Sequence, residues 1–355
     1  MNLYTTFEKR IFIGILLLAF VSSFTFNTDV SFNILSNNEL KNSNRKIIGT
    51  VERYNSDLNN IIDSGAKVEI IADGFVWSEG PLWVKKYNML LFSDVPSNAV
   101  YKWTEAKGKE IYLKPSGFSG TGSKSKETGS NGLSFDLKGN LVLCQHGNRQ
   151  MARMDAPLDK PAAIFFTLAD KYKGKRFSSP NDAVYNSQGE LFFTDPPYGL
   201  LSQNDSDPEK EIAFNGVYKM KLDGTIILLA DSITRPNGLA FFPDEKKIIV
   251  SSSDPDKPNW YLYEIEGDSF INGKIFYSTT GYNKSLKGLP DGLKIDKKGN
   301  VFATGPGGVY VFNSDGKKLG LIKLDKPASN CALSPDEKIL YITNEFYLLR
   351  IKMRN

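Results

Sequence analysis

A short motif restarts six times along the chain, and a period of tens of residues constrains a fold more than any local propensity. The starts are Glu79-Gly-Pro-Leu-Trp, Asn131-Gly-Leu-Ser-Phe, Asn181-Asp-Ala-Val-Tyr, Asn237-Gly-Leu-Ala-Phe, Asp291-Gly-Leu-Lys-Ile and Asn330-Cys-Ala-Leu-Ser, separated by 52, 50, 56, 54 and 39 positions. Most lead through a Gly or Asp turn into a second apolar run, as in LVLCQ at 141, LFFTD at 191 and VFATG at 301, the pattern of a β-hairpin. A third run follows, as in VYKM at 217 and VYVF at 309. Six units of three or four antiparallel strands with almost no helical periodicity predict an all-β chain folded as a six-bladed β-propeller. A sandwich or an up-and-down barrel does not restart with one motif every 50 residues or so. The apolar stretch from Val68 to Ala72, ahead of the first unit, is placed to supply the outer strand of the last blade and so hide an edge.

Before the repeats, Lys9 and Arg10 precede an apolar run from Ile11 to Val21 and the small pair Ser22 and Ser23, the order of an export signal. The expected division is an export signal or N-terminal anchor at 1–26, a linker at 27–65 rich in Asn and Ser, and the propeller at 66–355. The protein is expected to be exported, periplasmic or secreted, touching a membrane only through the N-terminal segment if that stays uncleaved. Charge is balanced, 44 basic against 40 acidic residues, with no concentrated basic stripe, which argues against a nucleic-acid partner. Cys144 and Cys331 have neither zinc-finger spacing nor disulfide-scaffold density, and read as buried strand residues.

In a propeller the first strand of each blade lines the central channel, so the six starts form one ring near one face. All six carry side-chain oxygen: Glu79, Asn131, Asn181, Asn237, Asp291 and Asn330. Two carboxylates and four amides suit one hard divalent cation, calcium or magnesium first, with manganese and zinc also admissible. His146 is the sole histidine, which speaks against the usual zinc-hydrolase ligation. Any one of these residues could equally open its strand as a turn former; the ring as a whole, with two carboxylates in it, favours the metal. The second strand of each blade returns to the same face, so its following loop is expected beside the ring. Those loops carry His146, Arg149, Asp195 and Tyr198, expected with Asn131 and Asn181 to contact a polyhydroxylated substrate. Singly, His146 or Asp195 serves as readily as a structural loop residue. The Gly-, Ser- and Lys-rich stretch 117–130 reads as a long loop near that face.

SEGPLW, SPNDAVYNSQGELFFTDPPYGL, RPNGLAFFPDEKKIIVSSSDP and LPDGLKIDKKGNVFATGPGGVYVF together resemble the senescence-marker-protein/gluconolactonase (SMP-30, regucalcin-like) family, and CQHGNRQMARM resembles its bacterial gluconolactonase branch. The resemblance implies a metal site on Glu79, Asn237 and Asp291, with Asn181 touching metal or substrate and Asp291 also acting as general base. It implies hydrolysis of a sugar lactone by a metal-polarised carbonyl and base-activated water. No Ser-His-Asp arrangement is visible. Two other readings share the fold: a hydrolase of other esters or phosphotriesters on the same metal, and a non-catalytic propeller that binds a ligand or a protein.

Overall fold

The computed structural model describes residues 45–121 and 125–354; the expected signal at 1–26 lies outside them. Six sheets are arranged as blades, with inner strands beginning at Ser78, Ser130, Ala183, Pro236, Leu293 and Asn330. Each inner strand packs against the inner strand of the next blade, and the sixth, Asn330–Leu333, packs against the first, Ser78–Val84, closing the ring. Among the described residues no helix is long and apolar enough to cross a membrane.

The second strand of each blade is buried on both faces, which is why the sequence shows continuous apolar runs there instead of alternation. In Met89–Asp94, Met89 and Leu91 pack toward blade 2 while Leu90 and Phe92 pack toward blade 6. In Leu141–Gln145, Leu141 and Leu143 face blade 1, and Val142 and Cys144 face blade 3. The period of two therefore divides each strand between two interblade layers, and the core is six such layers. Each fully buried Leu, Val or Phe contributes roughly 1.5–3 kcal/mol. Cys144 and Cys331 are free and buried in these layers, as their strand positions predict.

Val68–Asp73 pairs antiparallel with Tyr347–Lys352, so the chain before the first repeat does close the last blade. The segment assigned to a linker behaves differently from that expectation. Thr50–Arg53 adds a fifth strand to blade 5 by pairing with Lys318–Lys323, and Ile47–Ile48 extends blade 6. A 3-10 turn, Ser56–Asn60, capped by the Asn55 side chain, then drives Leu58, with Ile61 and Ile62 behind it, into the layer between blades 5 and 6. The compact unit begins at Lys46 rather than 66. The reason is local: the apolar anchors Ile48, Val51, Leu58, Ile61 and Ile62 lack any regular period, yet suffice to dock an arm.

Candidate functional site

Small residues bring the inner strands together at the ring. A Cβ on Gly238 would lie 2.5 Å from the Asp291 carbonyl oxygen, and one on Gly132 2.7 Å from that of Asn181, so only glycine permits this approach. The residue ahead of each glycine is then held in place. In blades 1, 2 and 4 the register of the inner strand shifts just past Glu79, Asn131 and Asn237, bulges that aim those side chains inward. A hydroxyl at the end of the neighbouring second strand fixes the ring backbone: Ser93 Oγ donates to the Asn131 carbonyl at 2.8 Å, Thr194 to Asn237 at 2.7 Å, Ser251 to Asp291 at 2.7 Å and Thr304 to Ser329 at 3.0 Å.

That pattern corrects the sixth member of the ring. Gly292 N donates to the Ser329 carbonyl just as Gly132 N donates to Asn181, so Ser329 stands where Asn330 was expected. Asn330 lies one residue along the strand, its Oδ1 taken up by Cys331 N at 2.8 Å and Lys294 Nζ at 3.2 Å.

Glu79, Asn131, Asn181, Asn237 and Asp291 line one cavity of about 360 Å3, within the range of small-molecule sites. Tyr198 also lines it, as its loop position predicts. Trp77, Glu127, Ser253, Leu286 and Leu289 complete much of the wall. Burial, with repulsion from Asp182 and Glu127, pushes Glu79 up to about 8. Burial first and Glu79 second hold Asp291 well above the usual carboxylate range. Asp291 Oδ1 and Asn131 Oδ1 are buried without a hydrogen-bond partner. Asn237 Nδ2 donates to Ser253 Oγ at 2.9 Å, which leaves the amide oxygen as its open end. Among the described residues no cluster of three or more His, Cys, Asp and Glu side chains is set for a metal; this ring joins two carboxyls to amide oxygens.

Three residues expected at the substrate do not line this cavity. Asp195 is fully buried and caps a turn, accepting from Ser178 N at 2.9 Å and Ser179 N at 2.7 Å; burial lifts it to about 6. Arg149 donates from Nε to the Phe177 carbonyl at 2.7 Å and faces a separate hollow shared with Arg176 and Glu209. His146 is fully buried behind the cavity wall, and burial holds it neutral, down to about 3. His146 and Arg149 follow the second strand of blade 2 and Asp195 ends that of blade 3, but the side chains of Arg149 and Asp195 are taken up by the backbone at 177–179.

Sequence reasoning did not single out Glu127, Trp77 or Ser253 as site residues. Glu127 comes from the 117–130 loop, outside any repeat; burial pushes it up to about 7. Ser253 did carry a signal, since it follows the second strand of blade 4 as Tyr198 follows that of blade 3.

A family model described as "SMP-30/Gluconolactonase/LRE-like region" matches residues 77–345. The chain is 39% identical over 320 residues to a gluconolactonase of Zymomonas mobilis, covering 88% of each protein. Among solved structures it is similar to a gluconolactonase from Xanthomonas campestris, with a TM-score of 0.74 at 29% identity over 86% of this chain and 97% of that one. A calcium-binding protein described as regucalcin from Agrobacterium tumefaciens aligns with a TM-score of 0.62 at 14% identity, over 81% of this chain and 94% of its own, a likeness of fold alone.

Proposed function

The chain belongs to the SMP-30/gluconolactonase/LRE-like family and is a lactonase; from that premise we propose that it hydrolyses a sugar lactone in the ringed cavity, with one divalent cation held by Glu79, Asn181, Asn237 and Asp291. The carrying observation is that two buried carboxyl groups share a cavity with the unpartnered Oδ1 atoms of Asp291 and Asn131. Buried carboxylates without a counter-charge are costly, and an all-oxygen donor set fits calcium or magnesium better than zinc.

Such a cation supplies Lewis-acid polarisation of the lactone carbonyl and the positive charge that offsets two carboxylates. The rest is done by the chain. Asp291 Oδ1 receives the proton of the attacking water. Asn131 and Tyr198 are placed to hydrogen-bond sugar hydroxyls, while Trp77, Leu286 and Leu289 form an apolar wall against the ring of the substrate. Fixed ring backbones keep these groups in one arrangement without reorganisation during the reaction.

The test is hydrolysis of D-glucono-1,5-lactone by chelated protein resupplied with calcium, magnesium, manganese or zinc, with spontaneous opening subtracted. Turnover restored by one cation, and lost together with cation binding in Asp291→Ala, supports the proposal. Undiminished turnover in chelator sinks the metal assignment, and none under any condition sinks the sugar lactone as substrate. We further place the protein outside the cytoplasm, on the charged-then-apolar order of Lys9 to Ser23. Fractionation of cells producing the full chain checks this; a purely cytosolic pool refutes it.

A further inference from the structure

We infer that Glu127 is a further catalytic residue of this site, the proton donor to the ring oxygen released when the lactone opens, and that His146 is its positioning residue. The inference rests on the lactonase reading above. Opening a lactone needs two proton transfers. As the bond from water oxygen to carbonyl carbon forms, a proton goes to Asp291; as the bond from that carbon to the ring oxygen breaks, the departing oxygen must gain one. Afterwards Asp291 releases its proton and Glu127 regains one through solvent, so the balance is lactone plus water to hydroxy acid.

Glu127 has the geometry for the second transfer. It lines the same cavity as Glu79 and Asp291 but stands outside the repeat ring. It is delivered by the loop that leads from blade 1 into the inner strand of blade 2, with its carboxyl beside His146, whereas Asp291 heads the inner strand of blade 5. Two separate carboxyl groups on one small cavity, brought there by different blades, let one act as base and the other as acid at the same bound lactone. The backbone just beyond Glu127 is tied down: Gly129 N donates to the Val95 carbonyl at 2.8 Å, Gly147 N to Thr128 at 3.2 Å and His146 N to Gly129 at 3.2 Å.

His146 backs the Glu127 carboxyl. Its Nδ1 lies 3.7 Å from Glu127 Oε2, and neither ring nitrogen has a hydrogen-bond partner. Gly199 packs against the root of this side chain, where a Cβ would sit 2.7 Å from His146 Cβ. Burial holds this imidazole neutral, so it brings no positive charge that would draw the proton from Glu127. The nearby Gln203 side-chain amide opposes the effect of burial, which still leaves the carboxyl up at about 7. Glu79, Asp291, Tyr198, Tyr282 and Lys287 are the titratable groups that share the cavity with it. Tyr198 is the weaker donor, its phenol raised further by burial.

The experiment is steady-state hydrolysis of D-glucono-1,5-lactone by wild type, Glu127→Gln and His146→Gln, each full-length and cation-loaded, with calcium binding followed by calorimetry. Glu127→Gln is expected to lose ~100-fold or more in kcat while KM and calcium affinity stay within about twofold, and to lose the alkaline fall of the kcat profile. His146→Gln is expected to lose about 10-fold in kcat and to shift that alkaline fall, which mere loosening of the wall does not do. Parent-like kcat in Glu127→Gln, or a raised KM at unchanged kcat, overturns the inference while leaving the lactonase reading intact. A wild type with no turnover overturns both. Should Glu127→Gln fail to fold, Glu127→Asp provides the same comparison with a shortened acid, and full activity in it with an unchanged profile counts against the role.

Discussion

Asn237 gives its amide nitrogen to Ser253 Oγ at 2.9 Å, and Ser253 passes its own hydrogen to the Pro290 carbonyl at 2.6 Å. The hydroxyl thus acts as acceptor on one side and donor on the other, and the carbonyl end of Asn237 has one orientation left, toward the cavity. Pro290 directly precedes Asp291, so the same short chain links two of the proposed cation donors.

Ser253→Ala leaves both donors in place but frees the Asn237 amide to flip. The expected result is a ~10-fold loss of cation affinity, the lower end of what outer hydrogen-bond partners of metal ligands contribute. Calorimetric titration with calcium measures it; an affinity unchanged from wild type would mean that Asn237 is oriented by something else or does not bind the ion.

Glu79 makes the metal-free protein sensitive to pH in a defined direction. Its folded-state value is raised from 4.5 to about 8, so the folded form holds a proton that the unfolded form releases between those values. Stability is therefore greatest below about pH 4.5 as far as this group is concerned, falls as pH rises toward 8, and levels off above. Glu127 adds a fall in the same direction up to about 7 and Asp195 up to about 6. Thermal melts of chelated protein from pH 5 to 8.5 should show a falling midpoint, with a shallower slope in Glu79→Gln. An equal slope in the variant would remove Glu79 as the cause.

Much of this was legible in the repeat, and what was not has identifiable physical reasons. The ring frame in blade 6 was misread by one residue because Asn330 has the chemistry of the other starts. The apolar residue two positions on is the better guide: Leu133, Ala183, Leu239, Leu293 and Cys331 are all buried, which sets Ser329 in the ring. The hydroxyls of Ser93, Thr194, Ser251 and Thr304 were also visible at the ends of second strands, although nothing in the pattern announces that each one grips the next blade. Glu127 was out of reach, since a side chain delivered by a long irregular loop has no period. Asp195 and Arg149 illustrate the converse, in that loop position fixes which end of the blade a residue occupies but not whether its side chain turns to the channel or to the backbone.

Asp195 should accordingly behave as a structural residue. Its carboxylate serves the Ser178 and Ser179 N–H groups just ahead of the ring residue Asn181. Asp195→Ala leaves both buried donors unpaired, which costs about 1–3 kcal/mol each. Urea denaturation should report that loss, while the KM of the remaining folded enzyme stays near wild type. A large rise in KM without loss of stability would return Asp195 to the substrate.

The arm before the first blade offers a stability test that needs no assumption about chemistry. Leu58 is fully buried between blades 5 and 6, packed so tightly that a Cβ on Gly320 would lie 2.5 Å from its Cδ2. Leu58→Ala should cost roughly 2–5 kcal/mol, because a rigid interblade layer closes poorly over the cavity left behind. Compared with a protein beginning at Lys46, one beginning at Val68 keeps the strand that closes blade 6 but loses the pairing of Thr50–Arg53 with Lys318–Lys323 and the Leu58 anchor. Its midpoint is expected to fall at least as far as that of Leu58→Ala. If the Val68 form proved as stable as the Lys46 form, the arm would be a passive attachment, and the propeller would be complete without it.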